Sequence, residues 1–433
     1  MTLSARDVAA RVLVRVARDE SFAAAALEAE LSRAVQLDAR DRALATELVY
    51  GTLRVLPWIE AQLDARAKKP TSGLPWEARG ALWVAMQQIH FMRVPAFAAV
   101  DEAVTAVRRA AGPRVAGFAN ALLRRAADDE RRRVDAAHAK DEDPNALRAR
   151  AVRESCPKDV REALARAIGE EGATKFLEET EAPAIGLRVR READRASVMK
   201  RIAEERPNAD LHEGRVSPLC IVARGLGKPH TLEAFRRGEI AIQEEGSQAI
   251  ALAVEARAGE RVLDACAGRG NKTALLADRG ARVDACDRDP RKLDALREEL
   301  ARLGLAPHAT FAVDWTVGSG DVPSADADAY DAVLVDAPCS GVGTLRRRPE
   351  LLLRARTPLA ERTKTQRAIA LAASKHVARG GRFVYAVCSV LREEAEDVLA
   401  SLDASLEPTS STRLLPYIHG TDGYFVATFR KRA

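Results

Sequence analysis

The stretch RVLDACAGRGNKTALLADRGARVDACD (261–287) decides the fold. It reads as a short apolar strand, a turn AGRGNKT, a helix, and a second strand ending in Asp287. The alternation then repeats. ATFAVD brings Asp314 to a strand end, YDAVLVDAP brings Asp336, and GRFVYAVCS brings Cys388. Strands alternating with helices build a doubly wound sheet, and ligands sit outside the carboxyl edge of its strands. Acidic or sulfur-bearing residues repeated along that edge are a stronger signal than any single strand.

The turn narrows the ligand. Gly268-x-Gly270 lets backbone approach a bound group, and Asp287 can accept from ribose hydroxyls. A dinucleotide fingerprint wants a third glycine where Thr273 stands, and a phosphate loop wants glycine where Asn271 precedes Lys272. A sulfonium cofactor carries no phosphate and asks for carboxylates along its ribose and adenine. Asp264, Asp287, Asp314 and Asp336 supply them, so the pattern favours S-adenosyl-L-methionine over a nicotinamide dinucleotide.

Two thiols share the predicted ligand edge. Cys339 follows Asp336-Ala-Pro, where Pro338 stiffens the turn, and Cys388 precedes a helix expected to begin near Arg392. C5 of cytosine is too weak a nucleophile to take a methyl group directly. A thiolate added at C6 makes an enamine whose C5 can attack, and a base must then remove the C5 proton. A helix N-terminus lowers a thiol pKa, which favours Cys388 as the nucleophile, while Asp336 can contact the base and favour protonation at N3. Cys156, Cys220, Cys266 and Cys286 read as packing.

Upstream, residues 4–127 are helical throughout, with Val8, Val12, Val16 and Leu82, Met86, Ile89 at helical spacing and prolines 57, 75, 95 and 113 as punctuation. The run DDERRRVDAAHAKDEDPNALRAR (128–150) reads as an exposed connection. Helices at 159–168, 172–179 and 193–205, with strands at 187–190, 209–211 and 219–223, then form a small α+β module. The expected domains are residues 1–135, 145–235 and 236–433.

An apolar fraction of 47% with 30% charged residues excludes a disordered chain. No run reaches the about 18 apolar residues of a membrane span. Arg6, Asp7, Arg11 and Arg15 interrupt any signal peptide, so a cytoplasmic protein is expected. Six scattered cysteines without a C-x-x-C pair give no metal site. Residues 1–140 hold 22 Lys and Arg against 17 Asp and Glu, which equals the whole net charge of +5 and suits an RNA-facing head.

DAPCSG (336–341), VCSV (387–390) and DACAGRGNKT (264–273) resemble the Nol/Nop/Sun family of RNA cytosine-5 methyltransferases. QEEGSQ (243–248) and DGYFVATFRK (422–431) extend the likeness over roughly 240–430. ELVYGTLR (47–54), AAVDEAV (98–104) and FANALLRR (118–125) make the head similar to a NusB-type RNA-binding domain. The resemblance implies a multidomain chain: an all-α NusB-like head, an α+β middle and a C-terminal α/β Rossmann-like class I methyltransferase domain. It puts the nucleophile on Cys388 and gives Cys339 a part in product release, a choice that spacing left open. Cofactor contacts then fall on Cys266, Ala267, Gly268, Arg269, Gly270, Asn271 and Lys272, with Asp287, Asp314 and Asp336. The implied substrate is a cytosine of 16S ribosomal RNA, nucleotide 967, in free RNA or a small-subunit assembly intermediate. The same chemistry on another ribosomal or transfer RNA cytosine, or an assembly factor without turnover, are the alternatives.

The chain departs from the family at Gly268–Asn271, usually Ala-Pro-Gly-Gly, and at Val387, usually Thr. Asn271 can take the left-handed conformation that this turn needs. Arg346, Arg347 and Arg348, followed by Arg354, Arg356, Arg362 and Lys364, are expected to hold phosphates around an extruded base.

Overall fold

The computed structural model describes residues 3–140, 146–179, 181–323, 330–354 and 357–432. The chain divides into two compact units, Met1–Glu162 with Arg348–Ala355, and Ala163–Arg347 with Arg356–Ala433.

The first unit is helical. Helices α1 (Ala5–Asp19), α2 (Ala23–Arg33), α3 (Ala39–Arg66), α4 (Trp76–Phe91) and α5 (Ala96–Lys140) precede a short sixth, Ala146–Ser155. Ser4 and Asp7 start α1 with reciprocal caps. Val8, Val12, Leu48, Leu82 and Met86 are fully buried, as their spacing predicts.

Two readings of this region change. Pro57 lies inside α3 rather than between helices. Next to it, the Trp58 amide donates to Ser155 Oγ at 3.1 Å, a partner from the sixth helix. The charged stretch from Asp128 to Lys140 continues α5 instead of leaving it. Arg131–Asp128, Arg132–Asp129 and Arg133–Glu130 pair at i,i+3, so the mixed charge supports the helix it was expected to end. The true break in α5 is Gly112, at φ 82°, followed by Pro113.

The second unit holds two sheets. Strands β1 (Ile185–Val189), β2 (Asp210–Glu213), β3 (Cys220–Arg224) and β4 (Ile240–Ile242) form an antiparallel sheet in the order β2-β3-β1-β4. Its last strand comes from beyond residue 235. The larger sheet takes β5 (Arg261–Asp264), β6 (Arg282–Asp287), β7 (Ala309–Ala312), β8 (Tyr330–Asp336), β9 (Val377–Val387), β10 (Leu406–Leu414) and β11 (Tyr424–Lys431). Their order is β10-β11-β9-β8-β5-β6-β7, parallel from β9 through β7, with β11 antiparallel to both neighbours. Strand order reverses between β5 and β8. That switch point opens a crevice at their carboxyl ends, where Asp264 and Asp336 stand.

Candidate active site

The turn after β5 survives its unusual sequence. Gly268 and Gly270 take positive φ, 57° and 87°, while Asn271 begins the next helix, Asn271–Asp278. The left-handed positions therefore fall on glycines, and Asn271 is not asked to adopt one. A Cβ on Gly270 would meet Leu296 Cγ at 2.6 Å, whereas one on Gly268 would face open space.

Carboxylates surround this turn. Asp287 Oδ2 accepts from Gly268 N at 3.1 Å and Oδ1 from Asp289 N at 2.9 Å, with Lys292 Nζ 3.3 Å away. Asp264 Oδ2 accepts from Thr273 Oγ1 at 2.8 Å. Its Oδ1 is buried and has no hydrogen-bond partner among the described residues, and burial raises its carboxyl to about 6. Asp314 lies two residues past the end of β7, exposed, with Oδ1 bonded to Thr316 N and Oγ1 at 3.0 and 2.6 Å. Those bonds hold its carboxyl below the usual range. Trp315 Nε1 donates to Ala265 O at 2.8 Å, which ties that turn to the end of β5. Burial and the nearby carboxylates push the Cys266 thiol well up, so it stays neutral.

Cys339 Sγ and Cys388 Sγ lie 3.2 Å apart, each half-buried. Lys272 Nζ bonds Asp336 Oδ2 at 2.6 Å. Burial opposes the Lys272 ammonium, but Asp336, Asp264 and Cys388 raise it above the ordinary lysine value, so it remains charged. The bond to Cys388, burial and Glu394 push the Cys339 thiol well up. Either sulfur can be the donor in the contact between them.

The helix expected after Cys388 is a 3-10 turn, Arg392–Glu394, and one α turn, Glu396–Leu399. Neither is long enough for a helix dipole to act on the thiol, so the helix argument for Cys388 falls. The sequence also hid a close backbone crossing. Gly343 N donates to Cys388 O at 3.1 Å, Gly423 N donates to Gly343 O at 2.7 Å, and a Cβ on Gly343 would sit 1.8 Å from Gly423 O.

Residues 251–430 match the family described as 16S rRNA methyltransferase RsmB/F, and residues 3–128 match the NusB family. Ribosomal RNA small subunit methyltransferase B of Xanthomonas campestris pv. campestris is 30% identical over 425 residues, covering 96% of this chain and 92% of its own length. The chain belongs to the ribosomal RNA small subunit methyltransferase B family. The probable family member from Bacillus subtilis is 29% identical over 99% of both chains. The solved structure of PH0851 shares the fold across 100% of both chains, with a TM-score of 0.79 at 21% identity. A second, NSun6 from Pyrococcus horikoshii with SFG, shares it over 64% of this chain at a TM-score of 0.56 and 19% identity.

S-adenosylmethionine is the cofactor of this methyltransferase family, and the crevice fits it. A buried carboxylate oxygen with no partner among the described residues, a glycine turn open at Gly268 and a second carboxylate at Asp287 are what a cationic, ribose-bearing molecule without phosphates can use.

The arginines after Cys339 have protein partners. Arg346 Nε and Arg347 Nε bond the two oxygens of buried Asp422 at 2.6 and 2.7 Å. Arg346 also donates to Gly420 O, and Arg347 to Ala184 O. Arg348 and Arg354 lie over the ring of Phe22 at 4.8 and 4.1 Å, within the helical unit. Arg362 donates to Cys339 O at 3.1 Å. Arg356 lies outside the described residues.

Proposed function

We propose that this chain methylates C5 of a cytosine in 16S ribosomal RNA, at nucleotide 967, through a covalent bond between Cys388 and C6. The observation that carries the reading is the 3.2 Å approach of two thiols beside the Lys272–Asp336 pair, at the mouth of the crevice. Bound there, S-adenosylmethionine supplies an electrophilic methyl carbon. Gly268 to Lys272, with Cys266, Ala267, Asp287, Asp314 and Asp336, are its proposed contacts.

Asp336, charge-balanced by Lys272, faces the pyrimidine and favours a proton at N3, which draws electrons from C6. The Cys388 thiol gives up its proton, which passes by way of Asp336 to N3, and its sulfur adds to C6, leaving C5 electron-rich toward the methyl group. After transfer the C5 proton departs to a base, the ring electrons return, and the C6–S bond breaks. Cys339, holding its own proton 3.2 Å away, hydrogen-bonds the departing Cys388 sulfur and helps it leave. Arg346, Arg347 and Arg348 are the arginines proposed to contact RNA phosphates, Arg346 and Arg347 while also bracing Asp422.

Cys388→Ala is expected to abolish methyl transfer, and Cys339→Ala to accumulate a protein–RNA adduct that survives denaturing gels. Full activity in Cys388→Ala would end the covalent reading. Bisulfite mapping of RNA from a deletion strain identifies the cytosine, and a change confined to transfer RNA or another ribosomal position would reassign the target. Calorimetry with S-adenosylmethionine is expected to show binding; no heat at high micromolar cofactor would support an assembly factor instead.

A further inference from the structure

Glu394 sits in LREEAED as an unremarkable charge, yet its side chain is completely buried. A buried carboxylate is costly unless its oxygens are taken up by donors. Its donors converge on the loop that carries Cys339. Oε1 accepts from Ser340 N at 2.7 Å and from Gln366 Nε2 at 3.1 Å, and Oε2 accepts from Ser340 Oγ. Gln366 Nε2 also donates to Pro338 O at 3.0 Å, so the residues on both sides of Cys339 are held. Ser340 Oγ approaches Ser389 Oγ at 3.4 Å, next to Cys388. From behind, the Tyr385 hydroxyl donates to Glu394 O at 2.8 Å, which fixes the carboxylate's own backbone to β9.

We infer that Glu394 is a positioning residue that, through Ser340, clasps the Cys339 loop to the Cys388 loop and keeps the two sulfurs within reach. This rests on the proposed covalent reaction. Sulfur-to-sulfur contact is needed when the adduct resolves, so the clasp acts chiefly on kcat and on release. The contact with Cys388 and burial raise the Cys339 thiol, and the Glu394 charge adds to them.

The experiment uses the full chain with unmodified 16S ribosomal RNA and S-adenosylmethionine. Glu394→Ala is expected to lower kcat more than tenfold with both KM values within about twofold of wild type. It should also accumulate the denaturant-stable adduct seen with Cys339→Ala. Glu394→Gln, which keeps one acceptor oxygen, should recover part of the rate, and Ser340→Ala should fall between the two. If Glu394→Ala does not fold, Glu394→Gln and Ser340→Ala carry the same readouts. Variants that melt like wild type yet turn over normally, or lose rate through KM alone, would overturn the inference. So would their failure to trap RNA where Cys339→Ala traps it. Absence of adduct in Cys339→Ala itself would instead strike the covalent reading, and the kcat-against-KM split would still decide Glu394.

Discussion

At the scale of single residues, the site depends on atoms whose surroundings override their ordinary chemistry. Asp264 is the plainest case, a fully buried carboxyl raised to about 6. A folded pKa above the unfolded value means that the fold prefers the protonated acid. Its contribution to stability is complete below the unfolded value near 3.8 and is lost as pH climbs through about 6. The shift corresponds to about 3 kcal/mol. Asp264→Asn should therefore raise the melting temperature of the cofactor-free protein at pH 8, with the gain shrinking toward pH 4. A gain that did not vary with pH would contradict this account. Gly343 makes a steric prediction. Any side chain there must displace the Gly423 carbonyl or the backbone of Cys388. A shift of about 1 Å at a reacting group costs on the order of 100-fold in rate. Gly343→Ala is expected to lose roughly that much kcat while still binding S-adenosylmethionine by calorimetry.

At the scale of elements, strand ends were legible because apolar runs stop at polar residues. Asp264, Asp287 and Asp336 each end a strand, and Cys388 follows one directly. Asp314 was placed by the same reasoning and lies just past its strand, where a Thr316 turn takes over. What the sequence concealed is what pairs across long separations. Nothing near Arg346 and Arg347 announces Asp422, and nothing near Cys339 announces Glu394. Local charge also misled: DDERRR suggests a loop by composition but a helix by its spacing. Pro57 is a further case, a proline carried inside α3 where composition suggests a boundary, with the Trp58 amide beside it donating to Ser155 in another helix. Ser155→Ala removes that buried side-chain acceptor and should cost about 0.5–1.5 kcal/mol, read as a lower urea midpoint without a change in slope.

At the scale of the molecule, the two units are not consecutive in sequence. Arg348–Ala355 leaves the loop region following Cys339 and folds with the helices. Arg348 and Arg354 cover Phe22, and burial, foremost, with the charge of Glu350 raises the Tyr50 hydroxyl in the same unit. A fragment beginning at residue 163 would carry this segment without its partners. Trypsin is expected to cut such a fragment within residues 346–354 well before it cuts the full chain there; equal rates would show that the segment is held by something else.

That segment also sets a schedule for biogenesis. The helices of the first unit emerge from the ribosome early, but the strip of chain that completes them is translated on the order of 280 residues after α3 ends. At about 5–20 residues per second, the nascent head waits tens of seconds without Arg348 and Arg354 over the Phe22 ring, which stays 45% exposed even in the finished chain. Chaperone occupancy of stalled nascent chains should therefore persist at the head until residue 354 has cleared the exit tunnel.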